Sequence, residues 1–393
     1  MNESTFTPGG GQPGGQVPAG LQAVGSVAVR TFAAHQSGYQ SASQKTPTQT
    51  AHQSMDGHHV NAMAGDRSGD THSHFADYDE LSPEGHFYDP DAEYEPDPEY
   101  AATLAPDAAR QRRERVGPTG RPLPYFPIPG PLTDHGPAKI IAMCNQKGGV
   151  GKTTSTINLG AALAEYGRRV LLVDFDPQGA LSVGLGVNPM ELDLTVYNLL
   201  MERGMSADEV LLKTAVPNMD LLPSNIDLSA AEVQLVSEVA RESTLQRALK
   251  PLMADYDYIV IDCQPSLGLL TVNALTAAHK VIVPLECEFF ALRGVALLTE
   301  TIEKVQERLN PELELDGILA TMYDSRTVHS REVLARVVEA FDDHVYHTVI
   351  GRTVRFPETT VAGEPITTYA SNSVGAAAYR QLAREVLARC HAE

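Results

Sequence analysis

Three short stretches carry residue types that could do chemistry together. NQKGGVGKTT (145–154) packs three glycines, two lysines and two threonines into ten residues. VLLVDFDPQG (170–179) ends an apolar run in Asp174 and Asp176, and YIVIDCQPS (258–266) ends another in Asp262. The first stretch matches the second half of the phosphate-loop template GxxxxGK[ST]. Counting back from Lys152 places the template's first glycine on Gln146, so the loop departs from the standard form. Its physics survives: Gly148, Gly149, Val150 and Gly151 can turn backbone N–H groups inward around phosphate oxygens, and the following helix presents its positive end to them. Lys152 is suited to neutralise the outer phosphates, Thr153 to place its hydroxyl on Mg²⁺, and Thr154 to continue the cradle. Carboxylates at the lip of a sheet beside a metal can hold metal-bound water or orient an attacking water. Any one Asp alone is as well explained as a helix or turn cap. The three together with the loop point to a nucleoside triphosphate and Mg²⁺. Lys147, five residues before Lys152, has no place in the standard loop.

Such residues need strands and helices in alternation to bring them together. KIIAMCN (139–145), RRVLLVDFD (168–176), YDYIVIDC (256–263), HKVIVPLE (279–286), LDGILATMY (315–323) and YHTVI (346–350) read as buried strands, with MDLLPS (219–224) as a short further one. KTTSTINLGAALAEYG (152–167) has helical spacing with Gly167 as its stop, and helical patterns cover 229–238, 243–253, 291–309, 328–342 and 375–390. Continuous apolar strands alternating with helices predict an α/β fold, a mostly parallel sheet covered by helices on both faces. Ligands of such sheets sit at the carboxyl ends of the strands, where every motif above falls.

Residues 1–136 have a different character. TPGGGQPGGQVPAG is a flexible tract, and FADYDELSPEGHFYDPDAEYEPDPEY (75–100) is densely acidic without Lys or Arg. Such composition buries too little apolar surface to offset chain entropy, so a long disordered tail is expected. It reads equally as a solvating tail or as a docking segment whose Phe75, Tyr78, Phe87, Tyr88 and Tyr94 anchor to a basic partner, such as a polar or cell-division protein. RQRRER (110–115) reads more readily as a solvated basic linker than as a DNA tether, and RPLPYFPIPGPL (121–132) as an extended segment lying against a domain spanning 137–393. The formal net charge of −20 over 393 residues excludes nucleic-acid binding by bulk charge, so any DNA contact must be a local patch. Cys144, Cys263, Cys287 and Cys390 are dispersed and suggest neither zinc nor a disulfide framework. No apolar run approaches the ~18 residues of a membrane span, and the N-terminus lacks a signal-peptide pattern, so a cytoplasmic protein is expected.

These motifs, with VIVPLECEFFALRG, GILATMYDSRT and GEPITTYASNSVGAAAY, resemble the deviant Walker A ATPases, and among them the ParA/Soj-type partition ATPases. The likeness runs from about Lys139 to the C-terminus. It implies a P-loop NTPase fold and a role for Lys147: reaching across an ATP-sandwich homodimer to the partner's phosphates, much like an arginine finger in trans. It implies that Asp176 positions the attacking water, that Asp262 holds Mg²⁺ through water beside Thr153, and that Asp174 supports them. Gly148 matches a glycine kept small so that two loops can approach. Tyr323, Asp324 and the stretch from Gly351 to Pro357 are the rough equivalents of the adenine-recognising loops. Arg326, Arg352 and Arg355, with Arg331 behind them, are candidates for non-specific double-stranded DNA. The resemblance further implies a nucleoid-associated switch for chromosome or plasmid partition, with hydrolysis stimulated by a ParB-type partner. The alternative is a MinD/ParA-like ATPase that positions a protein cargo as a nucleotide-switched scaffold. A MinD-type membrane anchor is not expected, because Tyr379, Leu382, Val386 and Leu387 in the last helix read as core-packing. Ala180, Gln264 and Gly351 stand where the family commonly has Asn, Pro and Pro. The first two lie by the hydrolytic site and the third by the base loop.

Overall fold

A computed structural model describes residues 116–288 and 291–391; the readings of the tail before Val116 lie outside the described residues. Seven strands form one sheet: β1 Lys139–Met143, β2 Val170–Phe175, β3 Leu212–Lys213, β4 Met219–Leu222, β5 Tyr258–Cys263, β6 Lys280–Glu286 and β7 Glu314–Thr321. Their order is β3-β4-β2-β5-β1-β6-β7, parallel throughout except for the β3–β4 pair. The apolar strands have a simple cause. In β1, β2 and β5, Ile140, Ala142, Leu171, Val173, Ile259 and Ile261 enter one core, and Ile141, Met143, Val170, Leu172, Tyr258 and Val260 enter the other. Successive side chains point to opposite faces, so a strand buried on both sides must be apolar at every position. The helices Leu269–Ala277, Ala291–Arg308 and Val328–Phe341 cover the first face; Lys152–Glu165 and Val374–His391 cover the second. Tyr379, Leu382, Val386 and Leu387 of the last helix are buried in that second core.

The sheet reverses direction of growth at β1, which lies between β5 and β6. That switch point leaves a crevice above the carboxyl end of β1, and the glycine-rich loop fills its rim.

Two expectations need correction. YHTVI is not a strand of the sheet. Tyr346 N and Ile350 N donate to Ile318 O and Ala320 O of β7, but the Thr348 N–H turns to the buried Glu385 carboxylate at 2.9 Å, with His347 N donating to its other oxygen at 2.8 Å. A side chain of the last helix has taken the ladder's donor. The pattern at 243–253 divides into Thr244–Leu249 and a 3₁₀ turn Lys250–Ala254, because Pro251 lacks the N–H that an α-helix needs there. The antiparallel β3, two residues long, was too short to read.

The proline-dense segment runs along the domain. Arg121 donates to Asp342 O at 2.8 Å and to Val345 O, Arg168 donates to Gly130 O at 2.8 Å, and His135 meets Asp257 at 2.8 Å.

Candidate nucleotide site

The loop between β1 and the helix Lys152–Glu165 is set by its two ends. At the first, Asn145 donates from Nδ2 to Pro284 O on β6 (2.8 Å) and accepts the Lys147 N–H on Oδ1 (2.9 Å). At the second, Gly151 caps the helix in the left-handed conformation, φ 82°, a position that disfavours any side chain. No side chain caps this helix, so its first-turn N–H groups face the loop. An anion is the natural complement of that arrangement. Val150 O accepts from Thr321 Oγ1 at 2.9 Å, which ties the loop to the end of β7. Lys152 is buried and donates across the loop to Lys147 O at 3.2 Å. Thr154, in the helix's first turn, accepts from Asn158 Nδ2 on its carbonyl.

Beneath the loop the register of β2 against β5 places Asp174 opposite Asp262. Asp262 is buried; its Oδ2 accepts from Thr153 Oγ1 at 2.6 Å and its Oδ1 faces Thr156 Oγ1 at 3.5 Å. Burial first, and then the Asp174 charge, push the Asp262 carboxyl up to about 8 against the opposing Thr153 bond and Lys152. Asp174, also fully buried, accepts from Ser182 N (2.8 Å) and Ser182 Oγ (2.7 Å). Burial lifts it to about 6 despite those bonds. A buried carboxylate bonded to a threonine hydroxyl, with a second buried carboxylate paired to it across the sheet, forms an oxygen donor set short of positive charge, which is what a hard divalent cation supplies. The residues therefore fit Mg²⁺ held by Thr153, with Asp262 behind it.

Asp176 stands half-buried at the lip. Its carboxylate accepts from Gln178 N at 3.0 Å, and its own N–H rests on Asp174 Oδ1 at 3.3 Å. Asp174 thus serves as a support: it ties the Asp176 turn to Ser182, whose hydroxyl also accepts from Ser224 N at 3.2 Å.

Lys147 is on the outer side of the loop, and its ammonium meets Glu286 at 3.0 Å and Glu288 at 2.6 Å. Burial would lower its pKa, but the bonds to Glu288 and Glu286 outweigh it and hold the amine above the ordinary lysine range. These glutamates, in the stretch VPLECE, were missed as site residues; an apolar strand ending in two acids was the available signal. Gly148 has an open side: a Cβ there would meet nothing closer than Pro265 Cβ at 3.9 Å. Ser182, Asn145 and Glu232 were also missed. Glu232 accepts from Gln264 Nε2 at 2.8 Å and so ties the loop after β5 to the helix Leu228–Gln234.

The base-loop candidates come together in part. Tyr323 N donates to Ile350 O and Arg352 N to Tyr323 O, joining the loop after β7 to residues 350–352. Pro357 lies exposed in the first turn of the helix Arg355–Ala362. Gly351 would accept a Cβ, whose nearest neighbour is Tyr323 O at 3.7 Å. Arg326, Arg352 and Arg355 are exposed, but each has an acid beside it: Asp324 at 2.9 Å, Glu286 at 3.6 Å and Glu358 at 3.1 Å. Arg331 donates to Ser325 O. Among the described residues no helix is long and apolar enough to cross a membrane.

Known proteins are similar to this chain. The AAA domain family matches residues 138–315. The chromosome-partitioning ATPase Soj of Treponema pallidum is 49% identical over 251 residues, 64% of this chain and 98% of that protein. The chromosome partitioning protein ParA of Caulobacter vibrioides is 48% identical over 255 residues, 64% of this chain and 95% of its own length. A solved structure named cobyrinic acid a,c-diamide synthase, from Mycobacterium smegmatis with bound ATP analogue and magnesium, is 46% identical. It superposes with a TM-score of 0.58 over 65% of this chain and 96% of that one.

Proposed function

Because the chain belongs to the ParA/Soj-type family of chromosome-partitioning ATPases, we propose that its ATP hydrolysis runs a dimerising, DNA-binding switch. The observation that carries the reading is Lys147: a second loop lysine on the outer side, displaced from the cradle that Lys152 already serves. In a dimer of two such loops face to face, each Lys147 reaches the other subunit's phosphates, and the open side of Gly148 permits the approach.

The chain's own residues then divide the work. The loop amides and Lys152 hold the β- and γ-phosphates, and Thr153 and Asp262 hold Mg²⁺. Magnesium, when bound, neutralises charge developing on the phosphate oxygens. Asp176, fixed by Asp174 and Gln178, orients the attacking water. Lys147 supplies a trans charge that is complete only in the dimer. Tyr323 and Pro357 border the base. Arg326, Arg352 and Arg355 meet DNA phosphates, and such contacts weaken as salt rises. A ParB-type partner stimulates hydrolysis, and the extension before residue 137 docks a polar or division protein.

A specific observation also favours a second reading, the nucleotide-switched protein scaffold. Arg326, Arg352 and Arg355 each have an acid of their own chain beside them, which lowers the patch's net positive charge.

DNA retention measured in ATP, ADP and no nucleotide separates the two. Lys147→Ala is expected to stay monomeric and off DNA. Asp176→Ala is expected to form a persistent ATP dimer on DNA. Arg355→Glu is expected to dimerise and miss DNA. Nucleotide-independent DNA binding overturns the switch, and ATP dimers of the wild type without DNA affinity favour the scaffold.

A further inference from the structure

Lys147 occupies a defined place in the single subunit. Its backbone is fixed, since its N–H is held by Asn145, which is anchored on Pro284 O of β6. Its side chain folds toward the end of the same strand, where Glu286 Oε2 and Glu288 Oε2 converge on one ammonium. Glu286 is the last residue of β6, and its side chain is 13% exposed. Glu288 lies two residues on and is 54% exposed. The other Glu286 oxygen faces Arg352 at 3.6 Å.

A single exposed ion pair adds little. Here two carboxylates share one cation, one of them is nearly buried, and that one ends the strand β6. We infer that Glu286 and Glu288 are positioning residues for Lys147: they hold its ammonium on its own subunit, so that two subunits can share ATP only after both ion pairs are broken.

The inference rests on the reading of Lys147 as a trans-acting lysine. It assigns the acids a definite effect: they set the protein concentration at which the ATP dimer forms. A ligand shifts a two-state population only by its differential affinity for the states, and here the acids favour the state with the lysine at home. The departure of Lys147 leaves Glu286 with Arg352.

The test uses the full chain with Mg²⁺ and a non-hydrolysable ATP analogue. Dimerisation is followed by sedimentation for wild type, Glu286→Gln, Glu288→Gln, the double variant, Glu288→Asp and Lys147→Ala. Binding of the same analogue is measured at dilutions where the chain is monomeric. The expected result is a dimerisation midpoint lower by about threefold in Glu288→Gln and about tenfold in the double variant. Glu288→Asp, which keeps the charge, is expected to return the midpoint toward the wild-type value, and monomer affinity for the analogue is expected to stay the same. Gln midpoints equal to or above wild type, with Lys147→Ala still monomeric, overturn the positioning role and leave the trans lysine standing. A changed monomer affinity also overturns it, because the acids would then act on the nucleotide directly. Dimers of Lys147→Ala refute the trans lysine itself.

Discussion

Replacing Ser182 by alanine tests the logic of the buried carboxylates under the loop. Asp174 is fully buried, and one of its oxygens accepts two bonds from Ser182, from N at 2.8 Å and from Oγ at 2.7 Å. Burial nevertheless lifts its pKa from 3.8 to about 6. The sign follows from this shift. A folded state that binds the Asp174 proton more tightly than the unfolded chain gains stability that is full below about pH 3.8 and is lost as pH rises through about 6. Removing the Ser182 hydroxyl deletes a bond that favours the charged form, so the folded pKa rises further and the loss at neutral pH deepens. A hydrogen bond to a charged group contributes about 1.5–3 kcal/mol, against about 0.5–1.5 for a neutral one. Ser182→Ala should therefore cost about 1–1.5 kcal/mol more at pH 8 than at pH 5, equivalent to about one pKa unit. The orphaned Ser224 N–H, which donates to the same hydroxyl at 3.2 Å, adds a similar cost at both pH values and cancels in the difference. The assay is urea unfolding of the nucleotide-free chain at the two pH values, compared at equal slope. A destabilisation equal at both, or larger at pH 5, refutes the assignment of a charged, serine-supported Asp174 at neutral pH.

Thr153→Ala should lower magnesium-dependent ATP hydrolysis by on the order of 100-fold, because it removes the hydroxyl that reaches Asp262 at 2.6 Å, while Thr153→Ser retains most of the rate; steady-state phosphate release reads both. Arg121→Ala should destabilise the chain by about 1–3 kcal/mol, through loss of its bonds to Asp342 O and Val345 O, and should speed limited proteolysis of residues 117–135. Gly160→Ala should cost about 1–3 kcal/mol in thermal unfolding, since a Cβ there would lie 2.6 Å from Leu172 Cδ2 between the loop helix and β2.

Much of this molecule was legible along the chain, for identifiable reasons. β1, β2, β5, β6 and β7 were readable because strands buried on both faces must be apolar at every position, and β4 emerged from MDLLPS. The turn of the glycine-rich loop was readable because its demands are local: glycine where the backbone is left-handed, then lysine and threonine in the first helical turn. Asp174, Asp176 and Asp262 were readable as the last acids of apolar runs. Contacts between remote residues were not. Lys147 meets its glutamates across 139 and 141 residues, and Thr153 meets Asp262 across 109. YHTVI shows the opposite failure: a strand-like run whose Thr348 N–H is claimed by Glu385, 37 residues later. Local steric and hydrophobic demands are written into neighbouring residues. The partner of a charge or of a free N–H is set by which strand ends and helices the packed sheet brings within hydrogen-bonding distance, and that is decided only when the whole chain has folded.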